Sequence, residues 1–279
     1  MIIELLKAAL FGVVEGITEW LPISSTGHMI LLEEFISLDV SEEFWNMFLV
    51  VIQFGAILAV VLLYWNTIWP LALRRRHGRT RIVWKEDTLR LWGKTIVACI
   101  PAAIVGLAFD DWLDEHFYNW LVVSIMLIVV GIAFIVIENL QRGRRPRVRN
   151  LSDLSMKEAF IIGLFQLIAA VFPGTSRSGA TIIGGLLIGV SRRTAAEFTF
   201  ILAIPVMAGA SLLKIIKFGF DFTAMEAAIL LVGMVVAFLV SVLIIRFLMG
   251  YIRRHDFKPF GWYRIVLGTV VILYFALFR

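Results

Sequence analysis

Charge is scarce in this chain, and cysteine scarcer. Only 17% of the 279 residues are Asp, Glu, Lys or Arg, against about a quarter in an average soluble domain. Sixty per cent are hydrophobic and the mean hydropathy is +0.90. A water-soluble core of this length cannot hide that much apolar surface, so a disordered protein and an ordinary soluble enzyme are both excluded. The single cysteine, Cys99, lies in an apolar run, which excludes a disulfide framework and a cysteine-rich metal site. Histidine is limited to four residues, and no zinc-ligand spacing is present. What is left is an integral membrane protein.

Six segments reach the roughly 20 apolar residues that a helix needs to cross the hydrocarbon layer: 46–64, 93–109, 119–138, 196–216, 226–249 and 262–278. Two further apolar stretches, 2–31 and 157–190, are each interrupted by a proline and a polar cluster. One holds Pro22-Ile-Ser-Ser-Thr-Gly-His28 and the other Pro173-Gly-Thr-Ser-Arg-Ser-Gly179. Non-helical backbone at membrane depth is tolerated only where protein or a wet cavity satisfies it. Both stretches are therefore read as re-entrant helix–loop–helix hairpins, with two broken full spans as the alternative.

Basic residues orient the chain. They cluster at Arg74, Arg75, Arg76, Arg79, Arg81 and Lys85, and again at Arg142, Arg144, Arg145, Arg147 and Arg149. Smaller groups follow at Arg192 and Arg193 and at Arg253, Arg254 and Lys258. The positive-inside rule puts all four groups in the cytoplasm, leaving the acidic loops around Glu42 and Asp110 and both termini outside. The net charge of +5 is then a property of topology, and no nucleic-acid partner is needed to explain it. With Lys7 as its only early basic residue and with Glu4, Glu15 and Glu19 present, the first stretch is not read as a cleavable signal peptide.

The two interrupted stretches align with each other. Gly12-Val-Val-Glu15 matches Gly163-Leu-Phe-Gln166, and Pro22 matches Pro173, at one offset. Thr175-Ser176 then falls on Ser24-Ser25, and one inserted residue brings Gly27 onto Gly179. Each half holds one hairpin and three spans, and an odd number of spans turns the second half upside down. The expected architecture is an all-α polytopic membrane protein of six transmembrane helices plus two re-entrant hairpins in an inverted-topology repeat. Residues 1–140 form the first repeat (hairpin 2–31) and 150–279 the second (hairpin 157–190), within one membrane domain.

The chemistry-bearing residues gather at the hairpin tips. Glu15 and Glu19 share a helix face, with Cβ atoms about 6 Å apart, and ionisable groups within a membrane segment usually mark function. A divalent cation, Mg²⁺ or Ca²⁺, bridging to a phosphate would relieve their repulsion. Ser24, Ser25 and Thr26 are good helix-capping residues. Ser25 with His28 also offers a hydroxyl and an imidazole for nucleophilic or acid–base work. In the second tip, Gly174, Ser176, Arg177, Ser178 and Thr181 combine backbone and hydroxyl donors with an arginine fork suited to phosphate. Arg177 is expected to pair with an acidic residue or a bound anion. Gln53 and Gln166 are read as hydrogen-bonding support around the site. His77, His116 and His255 are read as solvated loop residues.

Together, Glu15-Gly-Ile-Thr-Glu19, Pro22-Ile-Ser-Ser-Thr-Gly-His28 and Pro173-Gly-Thr-Ser-Arg-Ser-Gly-Ala-Thr181 resemble the bacterial undecaprenyl-diphosphatase family, also called the bacitracin-resistance proteins. The similarity extends through Val51-Ile-Gln-Phe-Gly-Ala-Ile57 and Glu197-Phe-Thr-Phe200 to essentially the whole chain. The resemblance implies hydrolysis of undecaprenyl diphosphate to undecaprenyl phosphate and phosphate at the outer face of the bacterial plasma membrane. That reaction recycles the lipid carrier of peptidoglycan synthesis and confers bacitracin resistance. By the same resemblance Glu15 and Glu19 are metal-associated, Ser25 and His28 catalytic, and Arg177 with Ser176 phosphate-binding. Ser25, His28 itself or a water activated by His28 is the expected nucleophile. The expected partners are the polyprenyl diphosphate substrate and membrane lipids, with a homo-oligomer as an allowed assembly. The competing class, suggested by the inverted repeat, is a transporter or flippase of polyprenyl phosphate or another anion.

Overall fold

A computed structural model describes residues 2–76 and 79–278. The order of helices begins with a broken pair, α1 (Ile2–Thr18) and α2 (Ser25–Glu33), followed by α3 (Glu42–Leu63) and a single turn, α4 (Trp65–Ile68). Next come two strands, β1 (Leu71–Arg76) and β2 (Arg79–Trp84), then α5 (Glu86–Phe117) and α6 (Trp120–Leu140). A second broken pair, α7 (Met156–Val171) and α8 (Arg177–Leu187), precedes α9 (Arg192–Phe218), α10 (Ala224–Tyr251) and α11 (Lys258–Phe278).

Among the described residues, six helices are long and apolar enough to cross a membrane: α3, the Glu86–Phe109 part of α5, α6, α9, α10 and α11. They coincide with the six segments expected from hydropathy. One element departs from an all-helical reading. The basic loop at 74–85 is half of an antiparallel ribbon in which Leu71 pairs with Trp84 and Leu73 with Ile82. Leu71-Ala72-Leu73 on one arm faces Ile82-Val83-Trp84 on the other, and such cross-strand apolar pairs favour the pairing, but the contiguous apolar and basic blocks lack the alternation that marks a strand in sequence. His77 lies outside the described residues.

Helices in lipid gain little from hydrophobic burial against one another, so small residues that permit close approach decide where they meet. Gly12 of α1 sits on α10, where a Cβ would fall 2.5 Å from the Gly233 carbonyl oxygen. Gly163, its counterpart in α7, sits on α5, where a Cβ would fall 2.3 Å from the Ala98 carbonyl oxygen. The first helix of each broken pair thus packs on a span of the opposite half. Gly131 of α6 and Gly261 of α11 meet reciprocally, each lying against the other's carbonyl oxygen. The largest buried cluster lies beside the breaks. It includes Trp20, Ile57, Phe134, Phe200 and Met207, with Trp20 edge-on to Phe200 at 5.3 Å.

Candidate active site

Each broken pair is interrupted in the same way. Pro22 and Pro173 lie in the breaks, where a proline cannot continue the helix because it lacks an N–H and its ring crowds the preceding turn. The next helix then starts on a serine in an unusual conformation: Ser24 has φ 74° and Ser176 φ 67°. Each is the N-cap of its helix, and each hydroxyl accepts a hydrogen bond from the glycine three residues on, Gly27 N–H at 3.4 Å and Gly179 N–H at 3.2 Å. This places the one-residue insertion ahead of Ser24. Ser24 corresponds to Ser176 and Ser25 to Arg177, one residue away from the alignment expected from sequence.

Because both helices start from the same geometry, Ser25 and Arg177 occupy equivalent first positions, and both reach Glu19. An Arg177 guanidinium N–H donates to Glu19 Oε1 at 2.8 Å, and the Ser25 hydroxyl donates to Glu19 Oε2 at 2.9 Å. A second Arg177 nitrogen donates to the Thr199 carbonyl at 3.4 Å. Glu19 is thereby tied to both breaks at once. The Ser178 hydroxyl contributes from below, donating to the Glu19 carbonyl at 3.1 Å.

These residues open onto a polar cavity of about 180 Å³. Glu19, Ser25, Thr26, Gln53, Gly174, Ser176 and Arg177 line it, and Val206, Met207 and Ala210 of α9 form an apolar wall. A charged head beside an apolar face is the environment an amphiphilic substrate needs.

Several expected contributors stand elsewhere. Ser24 is buried and caps α2. Ser178 and Thr181 are buried at 1% and 0% exposure, with their hydroxyls committed inside the protein. Thr181 bonds the Arg177 carbonyl at 2.9 Å and Thr199 at 2.8 Å, which stiffens the first turn of α8. These hydroxyls shape the Arg177 platform instead of lining the cavity. Gln166, the counterpart of Glu15, is buried with neither amide atom hydrogen-bonded.

His28 is also turned away from Ser25. Its Nδ1 is 2.7 Å from the Ser24 carbonyl oxygen, so it carries the proton, and its Nε2 is 2.7 Å from the Tyr263 hydroxyl. The two rings stack with planes 5° apart. The group within reach of the Ser25 hydroxyl is therefore Glu19, not the imidazole.

Glu15 lies one turn before Glu19, whose N–H donates to the Glu15 carbonyl at 3.0 Å. Its side chain is buried, and Oε1 has no hydrogen-bond partner. Among the described residues no group of three or more His, Cys, Asp and Glu side chains is gathered for a metal. Two adjacent carboxylates, one with a free oxygen, nevertheless match the one or two carboxylates with which Mg²⁺ is commonly held alongside phosphate oxygens and water.

Arg264 is the residue the sequence reading missed. It lies near the start of an apolar span, where an arginine ordinarily snorkels to the interface, yet it is fully buried. Its guanidinium donates only to carbonyl oxygens: Pro22 at 3.3 Å in the first break, Gly174 at 2.8 Å and Thr175 at 3.0 Å in the second, and Leu127 and Met126 at 3.3 Å on α6. One side chain joins both breaks to a span.

The family described as bacitracin resistance protein BacA matches residues 8–270 of the chain. Undecaprenyl-diphosphatase of Desulfitobacterium hafniense is 62% identical over 275 residues, covering 99% of this chain and 97% of that protein. Undecaprenyl-diphosphatase 1 of Clostridium acetobutylicum is 61% identical, covering 99% and 98%. The undecaprenyl-diphosphatase of Acetivibrio thermocellus is 57% identical over 277 residues, covering 99% of this chain and 100% of that protein.

Proposed function

Because the chain belongs to the bacitracin resistance protein BacA family, we propose that it hydrolyses undecaprenyl diphosphate to undecaprenyl phosphate and inorganic phosphate. The activity returns the lipid carrier to peptidoglycan synthesis, and it confers bacitracin resistance by consuming the diphosphate form. The observation that carries this reading is the Arg177–Glu19–Ser25 group, which presents an arginine fork and an oriented hydroxyl at one polar cavity.

In the reaction Arg177 receives the terminal phosphate, and the hydroxyls of Thr26 and Ser176 complete its cradle, Ser176 exchanging its contact with the Ser178 hydroxyl at 3.1 Å for a phosphate oxygen. The gain comes from charge stabilisation that strengthens as the equatorial oxygens spread their charge in the transition state. Ser25 Oγ attacks the terminal phosphorus in line while its proton passes to Glu19 Oε2. The bond from that phosphorus to the bridging oxygen breaks, and the lipid monophosphate leaves. Water then attacks the phosphoserine, its proton passing to His28 after the imidazole swings from Tyr263 toward Ser25, and Glu19 returns the proton it took to Ser25 Oγ as phosphate leaves. Glu15 and Glu19 would hold a divalent cation, Mg²⁺ or Ca²⁺, which supplies charge neutralisation at the phosphate oxygens.

The two broken helix pairs are read as re-entrant hairpins of an inverted repeat. The shared serine caps, the packing of each first helix on the opposite half and the reciprocal Gly131–Gly261 contact support this. The basic loops, cytoplasmic by the positive-inside rule, then leave the first hairpin entering from outside and the cavity facing the outer leaflet.

The test is phosphate release from a C55 polyprenyl diphosphate by the purified protein in detergent, with Mg²⁺, Ca²⁺ or EDTA. Metal-dependent release that disappears in folded Arg177→Ala and Ser25→Ala variants supports the reading. A folded wild-type protein that releases nothing ends it and leaves transport as the use of the repeat.

A further inference from the structure

A second cavity, larger than the first, lies at the N-terminal end of α9, whose middle walls the first. It measures about 360 Å³ and is enclosed by the C-terminal ends of α6, α8 and α10 and the first turn of α9. Arg144, Arg192, Arg193 and Arg253 line it, with Glu138 as its carboxylate. From Arg192 to Met207 of the first cavity, α9 rises about 22 Å at 1.5 Å per residue, so the two cavities are separate sites.

The charges in this cavity do not balance. Glu138 is buried at 1% exposure and spent internally: it pairs with the Arg192 fork and accepts the Phe257 N–H at 3.0 Å. Arg193 is paired with Glu197 at 2.8 Å. Arg144 and Arg253 are exposed, and among the described residues neither guanidinium has an ion-pair partner. Asp256, the nearby carboxylate that acts on Arg192, is held by Lys258 at 3.5 Å. Two positive charges therefore remain unmatched. The first turn of α9 adds the N–H groups of Arg192 and Arg193, which have no acceptor within the helix.

Arginine forks with free backbone N–H groups select a phosphate group, whose several oxygens accept from both. The apolar neighbours suit a lipid. Leu186, Val190 and Ile252 form part of the wall, and Leu140 and Leu187, the chain neighbours of the lining residues Gln141 and Leu186, are 57% and 46% exposed. Basic pockets between spans at the cytoplasmic end are a recurrent setting for phosphorylated headgroups.

We propose that this cavity is a second anion site, which binds a phosphate monoester through Arg144 and Arg253. The bearer is the headgroup of a lipid in the inner leaflet or free inorganic phosphate. The site stands apart from the hydrolytic chemistry, and the proposal holds whether or not the chain is a phosphatase.

The test uses the full chain with Arg177→Ala, which removes the anion fork of the first cavity. In nanodiscs of phosphatidylcholine, native mass spectrometry counts adducts of dioleoyl phosphatidic acid, and equilibrium dialysis measures inorganic phosphate. The comparison is the same protein with Arg144→Gln and Arg253→Gln, both exposed positions that the fold does not need. At least a tenfold loss of phosphatidic acid adducts, with no binding of phosphate, establishes a lipid headgroup site. A matching loss for both probes establishes recognition of the phosphate group alone. Binding of inorganic phosphate alone, lost in the variant, establishes a site for free phosphate, whereas binding of both probes that is equal in the two proteins, or absent from both, overturns the proposal.

Discussion

Ser24 and Ser176 adopt one backbone conformation, φ 74° and ψ 105° in the first and φ 67° and ψ 119° in the second, in a region that a Cβ disfavours. Strain of this kind is of order 1–3 kcal/mol per residue and persists where surrounding contacts over-determine it. Here the contacts are the capping bonds to Gly27 and Gly179. The pair of strained serines turns each chain break into a helix start, so that Ser25 and Arg177 are presented to the same carboxylate.

Removing the cap hydroxyl should therefore be felt as stability. Ser24→Ala is expected to lose about 1 kcal/mol, whereas Ser24→Gly loses less, because glycine relieves the positive φ. Thermal unfolding in detergent ranks the two. An alanine variant as stable as wild type would show that the cap does not hold the break.

Arg177→Lys keeps the charge and loses the fork. Phosphate release is expected to fall by about 10²-fold, the usual scale for one transition-state donor. Glu19→Gln should depress activity as well, and the two changes together should cost less than their product, because both disrupt one ion pair. Strict multiplication in the double variant would argue that the two residues act independently.

Arg264→Met removes a buried cation and leaves carbonyl oxygens of both breaks without donors. A loss of about 3 kcal/mol or more is expected, since a buried acceptor left without its donor costs about 1–3 kcal/mol and several are stripped at once. Arg264→Lys should recover little of it, since a single ammonium cannot span Pro22, Gly174, Thr175 and α6. Denaturation midpoints in detergent give the comparison, and a fully stable methionine variant would remove Arg264 from the framework.

His28 and Tyr263 make separable predictions. His28→Ala is expected to lower phosphate release by at least about 10²-fold, the low end for a general base. Tyr263→Phe removes only the hydroxyl that occupies Nε2, and should change the rate by less than about tenfold. Equal and severe losses would mean that the stacked pair, not the imidazole alone, is the working unit.

The close helix contacts can be tested away from the cavity. Gly12→Val and Gly163→Val each place methyl groups where the facing carbonyl oxygen already lies within 2.5 Å of a Cβ, and each is expected to lose about 1–3 kcal/mol. Gly106→Ala, with nothing within 4 Å, should be neutral or slightly stabilising. Unfolding curves for the three variants decide whether both halves are held by the same kind of contact.

Much of this was legible in the sequence because the membrane imposes a coarse rule. Runs of apolar residues gave the six spans, and the two prolines with their polar clusters marked the breaks. Glu15, Glu19 and Arg177 stood out because charge in such surroundings needs a partner, and Arg177 does find Glu19. Finer features depended on geometry that residue spacing does not encode. The insertion before Ser24 follows from two backbone torsions, and the His28–Tyr263 stack from the meeting of α2 and α11. The ribbon at 71–84 was hidden because each arm is one apolar block and one basic block, with no period-two alternation to mark a strand. Arg264 went unremarked because its partners are backbone carbonyls, which leave no complementary charge in the sequence. Glu138 likewise seemed to close a span, and its role emerges only where Arg192 and Phe257 approach it.

Arg264 also has a meaning in time. Its helix, α11, follows in the chain every segment whose carbonyl oxygens it gathers: Pro22 in the first break, Met126 and Leu127 on α6, and Gly174 and Thr175 in the second break. The Glu19 link between Ser25 and Arg177 needs only α1, α2 and α8, so it can form early in synthesis. The clamp on the backbone behind that link can close only once α11 has taken its place.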